Sequence, residues 1–431
     1  MNFKKFQLGL LHVAVAMTLV PINSTLNRVM IRELSLSATL VAILASLPYF
    51  FSPMQVAIGS FSDRHPLFGL RRTPYIFAGL VLCSLGVAIS PWAAFKLAEG
   101  GAIGILAGIT PFLAWGMGYN LSSVCYLALA SELSGEKERG STIAVMWFMM
   151  IVGIILTAVG LGRMVESYSP AVLQNAFVVV GAVALVMGSI GLVWLEPRST
   201  GSVIPTETTS YRQMIDAVLS NPVGRTFFVY LLLLLAAILG QDVLLEPFAA
   251  EAFNWSVSQT TRLTSIWGGA VLLTILLASP LEKMLSRKTV AQIGNLGALG
   301  GFLLILISGG LRSSAGFYGG VLLLGAGTGL STVANLALMF DLTLPGQVGL
   351  FVGAWGLSNS LSRLVGSILG GVVRDVATNL SGVPLTGYVV VFGIESLMLL
   401  AAILMLGRID VGLFRASSAI PTPLERAAIT E

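Results

Sequence analysis

The chain has 431 residues, of which 55% are hydrophobic and only 10% charged, with a formal net charge of +4 and a mean hydropathy of +0.89. A soluble domain carries roughly a quarter charged residues, so this chain lacks the material for a polar surface, and a cytosolic enzyme or a nucleic-acid binder is excluded. It reads as a polytopic membrane protein with lipid around most of its surface.

A spanning helix needs about 20 mostly apolar residues. Twelve such runs follow one another, near 8–27, 37–60, 74–95, 102–130, 141–162, 172–195, 225–247, 257–280, 288–309, 315–340, 347–372 and 386–407. Lys4 and Lys5 ahead of the first run imitate a secretory signal, but cleavage after Ala14-Val15-Ala16 would leave an odd number of spans. Basic residues concentrate in alternate loops, among them Arg64, Arg71, Arg72, Lys283, Arg287 and Lys288. That bias predicts both termini in the cytoplasm. The expected organisation is a six-helix bundle over 1–195, a cytoplasmic linker over 196–224, a second six-helix bundle over 225–407 and a cytoplasmic tail over 408–431. Within the linker, Tyr211 to Leu219 has helical apolar spacing, as an interfacial helix or a plain solvated one.

Between the second and third spans stands Gly59-Ser60-Phe61-Ser62-Asp63-Arg64, followed by Gly69-Leu70-Arg71-Arg72. Gly59 permits close helix packing, Asp63 suits the unpaired N–H groups of a neighbouring helix start, and Arg71 and Arg72 anchor the inner interface. The segment resembles the G-x-x-x-D-R…G-x-R-R signature of the major facilitator superfamily. Span four contains an internal repeat: Gly116 to Leu133 reappears 209 residues later as Gly325 to Leu342, with nine identities including Gly118/Gly327 and Ser122/Ser331. The expected fold is therefore all-α, with twelve transmembrane helices in two six-helix pseudo-repeats of major-facilitator type and a cavity between the halves.

Cys83 and Cys125 lie inside apolar runs, and His12 and His65 are the only histidines, so no metal-binding cluster is expected. No nucleophile–base arrangement or phosphate loop is legible, and no enzymatic activity is expected. Ionisable residues inside spans are functional candidates because they are costly there. His12, one turn into span one, reads as a magnesium ligand or as a satisfied core histidine. Asp242 and Glu246, four residues apart beside Gln241, stand near the outer end of span seven, with Arg28 and Arg262 at the outer ends of spans one and eight. The expectation is an outer clamp in which Arg28 or Arg262 pairs with Asp242 or Glu246; Glu246 reads alternatively as a pigment-magnesium ligand. Arg363 and Glu395, in spans eleven and twelve, are expected to pair inside the membrane.

Three segments carry a narrower resemblance: Thr25 to Leu34, Gly69 to Tyr75, and Gly240-Gln241-Asp242-Val243-Leu244-Leu245-Glu246-Pro247-Phe248. Together they resemble the PucC/LhaA family, also called the bacteriochlorophyll delivery family, with Phe248 and Ala249-Ala250 standing where a Tyr and glycines are expected. The resemblance implies a factor that assembles light-harvesting or photosystem complexes, binding or delivering chlorophyll or bacteriochlorophyll. It implies pigment-binding antenna or photosystem proteins and pigment-synthesis enzymes as partners, and a photosynthetic membrane (thylakoid or intracytoplasmic) or the bacterial inner membrane as location. A small-solute secondary transporter and a non-transporting scaffold remain open. The absence of a carboxylate within the first-half spans argues against proton-driven export.

Overall fold

A chain surrounded by lipid must satisfy every backbone polar group internally, and the computed structural model meets that demand with helix along almost its entire described length. It describes residues 2–198, 222–342 and 348–409; the expected linker helix over 211–219 and nearly all of the tail lie outside the described residues.

Among the described residues twelve passes succeed one another, and ten of them are helices long and apolar enough to cross a membrane. The first is α1 (Asn2–Met17), prolonged by two π-wound segments, Pro21–Leu26 and Val29–Glu33. Pro21 has no N–H to donate, so the α-helical ladder breaks there. The second pass is not the single helix expected over 37–60. Pro48 and Pro53 divide it into α2 (Ala38–Ala45), α3 (Leu47–Phe50), a 3₁₀ turn (Ser52–Met54) and α4 (Gln55–Arg64). α5 (Thr73–Glu99) is the third pass. α6 (Gly101–Met164) makes the fourth and fifth, turning at Gly135, whose φ of 61° and ψ of 175° interrupt the helix. α7 (Pro170–Leu192) is the sixth.

α8 (Pro222–Gly240) opens the second set of passes, breaks into a 3₁₀ turn (Gln241–Val243) and resumes as α9 (Leu245–Phe253). Asn254 ends α9 in the left-handed conformation, and a Ser256/Gln259 capping box starts α10 (Val257–Met284). α11 (Arg287–Leu311), α12 (Ser314–Asp341), α13 (Val348–Ser381) and α14 (Pro384–Arg408) complete the chain. Large apolar side chains such as Leu106, Leu156, Val186, Ile190, Leu277 and Leu404 stand exposed on the bundle, a surface tolerable only against lipid.

The repeated glycines and serines are helix-crossing points. A Cβ on Gly118 would lie 2.6 Å from the backbone nitrogen of Cys83, and one on Gly79 would lie 2.6 Å from the nitrogen of Ser122. In the second half a Cβ on Gly294 would lie 2.6 Å from the nitrogen of Ser331, and one on Gly327 would meet the nitrogen of Ala298 and the carbonyl oxygen of Gly294. α5 thus crosses α6 as α11 crosses α12, backbone against backbone. Beside the second crossing a buried ring closes on itself. Tyr230 donates to Asn335 (2.8 Å), Asn335 to Ser331 (2.9 Å), Ser331 to Asn295 (2.7 Å) and Asn295 to Tyr230 (2.9 Å). A fully satisfied network of this kind fixes one arrangement of the helices that share it.

These contacts make Gly327→Leu destabilising by about 1–3 kcal/mol or more, because the atoms it meets are backbone and cannot rotate away. Gly393→Ala, where an added Cβ meets nothing within 4 Å, leaves stability unchanged or raised. Thermal unfolding midpoints of the two variants in detergent check the contrast.

Candidate functional site

The two passes that face each other across the centre both lose α-helical geometry where they meet: π-wound at Pro21–Leu26 in the first, 3₁₀ at Gln241–Val243 in the seventh. The break in the seventh exposes Gln241 and Asp242 to a cavity of about 140 Å³ that Leu19, Asn23, Tyr49, Glu246, Trp267 and Arg363 also line. Breaks of this kind are tolerated in a membrane where the freed groups line a protein cavity.

Arg363 Nη1 lies 2.7 Å from Asp242 Oδ2, and its guanidinium carbon is 5.3 Å from the centre of the Tyr49 ring. The cation is thus held from one side by a carboxylate of its own half and from the other by an aromatic face of the first half. This corrects the expected Arg363–Glu395 pair. Glu395 stands against Gly240, where an added Cβ would lie 3.0 Å from its Oε1, and neither of its oxygens has a hydrogen-bond partner among the described residues. The 3₁₀ turn swings Asp242 toward α13, so Asp242 reaches Arg363 first.

Glu246, 4% exposed, accepts hydrogen bonds on Oε1 from the hydroxyls of Ser24 and of Thr264 (3.0 Å). Its Oε2 has no partner among the described residues. Neither do Asn23 Oδ1, Gln241 Oε1 and Trp267 Nε1. All four residues line the one cavity, and the four atoms, three acceptors and a donor, are themselves buried.

The expected outer clamp is rearranged. Arg28 bonds to Glu33 (2.5 Å), at the end of the π-wound segment that it precedes, and to the carbonyl oxygen of Trp255 (3.0 Å). Arg262 lies 3.8 Å from Glu166. Neither is ion-paired with Asp242 or Glu246, because the π-wound turn directs Arg28 past Glu246 toward the start of α10 and Arg262 sits on the face of α10 that meets the fifth pass. The ends are joined all the same. Arg32 pairs with Glu251 (3.2 Å) and Thr25 bonds to Thr261 (2.9 Å).

A joint that sequence reasoning missed completes this seal. Asp375 of α13 accepts from the backbone N–H groups of Ala38 (3.0 Å) and Thr39 (2.8 Å) and from the Thr39 hydroxyl (2.7 Å). Together with Ser37 Oγ, which accepts from Leu40 N–H at 3.2 Å, it satisfies the first three free donors of α2. A helix cap supplied from 336 residues away leaves no local pattern; the only sequence signal is a carboxylate just past the expected end of an apolar run at 372. Burial pushes the Asp375 carboxyl up. The hydrogen bonds from Thr39, Arg374 and Ala38 outweigh that and hold it below the usual carboxylate range.

The remaining predicted residues lie apart from the cavity. His12 is buried with its ring 5.4 Å from Tyr126 and 5.8 Å from Trp147, and its Nδ1 has no partner among the described residues. In the loop motif Asp63 does not cap α5. It pairs with Arg72 (2.6 Å), while Arg71 and Arg72 also reach Glu132, each at 3.1 Å. The cap on α5 is Glu196, which accepts from the N–H groups of Arg71 (2.8 Å), Arg72 (3.1 Å) and Thr73 (2.7 Å). The Arg72 guanidinium occupies the space between Asp63 and the helix start. Gly59 is not needed for close packing, since a Cβ there would meet Val124 at an ordinary 3.5 Å; its carbonyl instead accepts from Ser62. Gly69 is needed for its φ of 76°, which turns the chain between Leu67 and Leu70. Arg64 is exposed.

A family model described as PUCC protein matches residues 25–413. The "Protein PucC" of Rhodovulum sulfidophilum is 33% identical over 385 residues, covering 86% of this chain and 84% of that protein. That of Rhodobacter capsulatus is 32% identical over 419 residues, covering 92% and 90%. A protein named "Bacteriochlorophyll synthase 44.5 kDa chain" from Rhodobacter capsulatus is 28% identical, with 97% of each chain covered. Among solved structures, a nucleoside transporter, NupG, superposes with a TM-score of 0.72 at 14% identity, covering 94% of this chain and 99% of its own. A D-xylose–proton symporter does so with 0.71 at 16%, covering 94% and 97%. The fold is that of the major facilitator superfamily, and the chain is a multi-pass integral membrane protein.

Two outcomes follow from the site. In a double-mutant cycle, Asp242→Leu and Arg363→Leu each destabilise, and their combination recovers a coupling of about 1–3 kcal/mol; Glu395→Gln combined with Arg363→Leu shows none. Asp375→Ala lowers the unfolding midpoint at neutral pH, consistent with a lost cap of about 1 kcal/mol. Because the folded carboxyl titrates below its unfolded value, that contribution is present above about pH 4 and lost as pH falls further. The gap between wild type and variant therefore narrows toward acid in thermal melts.

Proposed function

The chain belongs to the PucC family, and from that premise we propose that it is an assembly factor for light-harvesting or photosystem complexes, serving pigment-binding membrane proteins and the enzymes that make their pigment. The observation that carries this reading is the family match across nearly the whole chain. It is not an enzyme in this reading. The two six-helix bundles, 1–195 and 225–407, are its working units, joined by the 196–224 linker. Both termini face the cytoplasm, and the end sealed by Asp375 and Arg28 faces the other side of a photosynthetic or bacterial inner membrane.

Chlorophyll or bacteriochlorophyll is the pigment the family implies. The free Oε2 of Glu246 suits its magnesium as a hard-cation donor. The ring itself does not fit: pockets for drug-sized ligands run about 300–1,000 Å³, and this cavity holds about 140 Å³. In this conformation the cavity does not enclose the pigment ring, and in this reading the protein serves pigment-binding partners by holding them. The same small, acceptor-rich cavity favours a second reading, a secondary transporter of a small polar solute.

An absorption spectrum of the gently purified protein, with its co-purifying proteins identified, separates these. The expected result is chlorophyll-type absorbance that tracks stoichiometric antenna or photosystem partners. Pigment retained by the protein alone, and lost in Glu246→Gln or His12→Ala, would replace holding with delivery. A colourless protein without such partners would overturn the proposal in favour of solute transport.

A further inference from the structure

The residues that join the two halves at the end away from the termini enclose a second cavity, of about 410 Å³. It shares no residue with the central one of about 140 Å³, and it falls within the about 300–1,000 Å³ of small-molecule sites. The first half contributes Arg32, Ser35 and Ser37 to its walls, and the second half Glu251 of α9 with Arg374, Asp375 and Asn379 of α13. Ser35, Ser37 and Asn379 are exposed, and the Arg32 side chain is 43% exposed, so these polar groups are within reach of an incoming molecule. The apolar run of the eleventh pass ends near 372, which sets Arg374 to Asn379 at headgroup depth.

The charges of this cavity are unevenly used. Asp375 takes three hydrogen bonds from Ala38 and Thr39 and a fourth from Arg374 Nη1 (3.0 Å). It thereby also consumes the free N–H groups at the start of α2. Arg374 lies with its guanidinium carbon 4.9 Å from the centre of the Tyr388 ring, so the carboxylate and the aromatic face hold it as a fixed positive charge. Glu251 meets Arg32 through Nε (3.2 Å), and a guanidinium has five N–H donors to give. Ser37 Oγ already accepts from Leu40 N–H, which leaves its hydrogen to donate. The charged acceptors are thus engaged, while Arg32 keeps donors open to the cavity. A metal cation finds no free carboxylate here, and a neutral polyol leaves the Arg32 charge unanswered. An oxyanion answers it with paired N–H···O bonds to the guanidinium fork.

We propose that this outer cavity binds an oxyanion of phosphate type, carried by a lipid headgroup or by a water-soluble solute. Arg32 is its direct ligand, Ser35, Ser37 and Asn379 donate hydrogen bonds to it, and Arg374 supplies the fixed charge beneath. Because the walls come from both halves, an occupant ties one half to the other at this end. The inference stands apart from the assembly reading, since neither pigment nor client enters it.

The test titrates the full chain in maltoside micelles by calorimetry with sodium phosphate, glycerol 3-phosphate and a short-chain phosphatidylglycerol, against sodium chloride at equal ionic strength. At least one phosphate-bearing probe is expected to bind where chloride does not. Arg32→Gln is expected to weaken that probe about tenfold, and Asn379→Leu to weaken it less. Glu251→Gln breaks the same ion pair from the other side but frees the guanidinium, and is expected to tighten binding. Binding of the soluble probes assigns the site to a solute, and binding of phosphatidylglycerol alone assigns it to a lipid; either upholds the proposal. It is overturned if no probe binds, or if Arg32→Gln and Glu251→Gln weaken binding alike, which would make the pair merely structural. An equal loss in Arg312→Gln, an exposed arginine at the turn between α11 and α12 outside the cavity, would overturn it as well. Failure here leaves the assembly reading untouched, and a colourless protein in the earlier experiment leaves this proposal untouched.

Discussion

A charge held inside a bilayer has to find its counter-charge within the protein, and the contact between Arg363 and Asp242 is the point on which this structure turns. It forms where the seventh pass breaks at Gln241–Val243. That break creates the cavity, frees Gln241 and sets Glu246 under Ser24 and Thr264. Tyr49 then reaches over the guanidinium from the segmented second pass, which owes its own breaks to Pro48 and Pro53. One ion pair thus gathers three irregular pieces of backbone in one place.

Around that point the polar groups divide into satisfied and unsatisfied. The Tyr230–Asn335–Ser331–Asn295 ring, the Glu196 cap and the Asp375 cap leave nothing unpaired among the donors they serve, and they lie where helices must hold a fixed relation. Among the unpaired atoms, those of Asn23, Gln241, Glu246 and Trp267 belong to residues that line the central cavity and those of Glu395 to one that lines a second cavity, while others, His12 Nδ1 among them, lie away from both. Buried polar groups in an apolar medium are normally paired. The seal at the end away from the termini is made by residues distant in sequence.

Much of this architecture is legible in the order of residues. Hydropathy over 431 residues dictates a membrane protein, because a span of about 20 apolar residues has one stable solution in lipid. The repeat around Gly118 and Gly327 reveals the duplicated design, since close helix crossings tolerate few residue types and therefore leave a matching trace in both halves. The segment from Gly240 to Phe248 points to the PucC family and holds Gln241, Asp242, Leu245 and Glu246 of the cavity lining.

Which charges meet belongs to the tertiary structure alone. Residue type places Arg28, Asp242, Glu246, Arg262, Arg363 and Glu395 in or near the membrane, but the sequence reading pairs Arg363 with Glu395 and Arg28 or Arg262 with Asp242 or Glu246. The fold pairs Arg363 with Asp242 and Arg28 with Glu33 and the Trp255 carbonyl, because π and 3₁₀ turns rotate side chains through angles that α-helical spacing does not contain. Asp375 at the start of α2 and Glu196 at the start of α5 were equally out of reach: a cap given across the fold depends on where two distant helices end in space. Sequence determined what must be buried and how often the chain crosses; the packing of broken helices decided which partner each buried charge received.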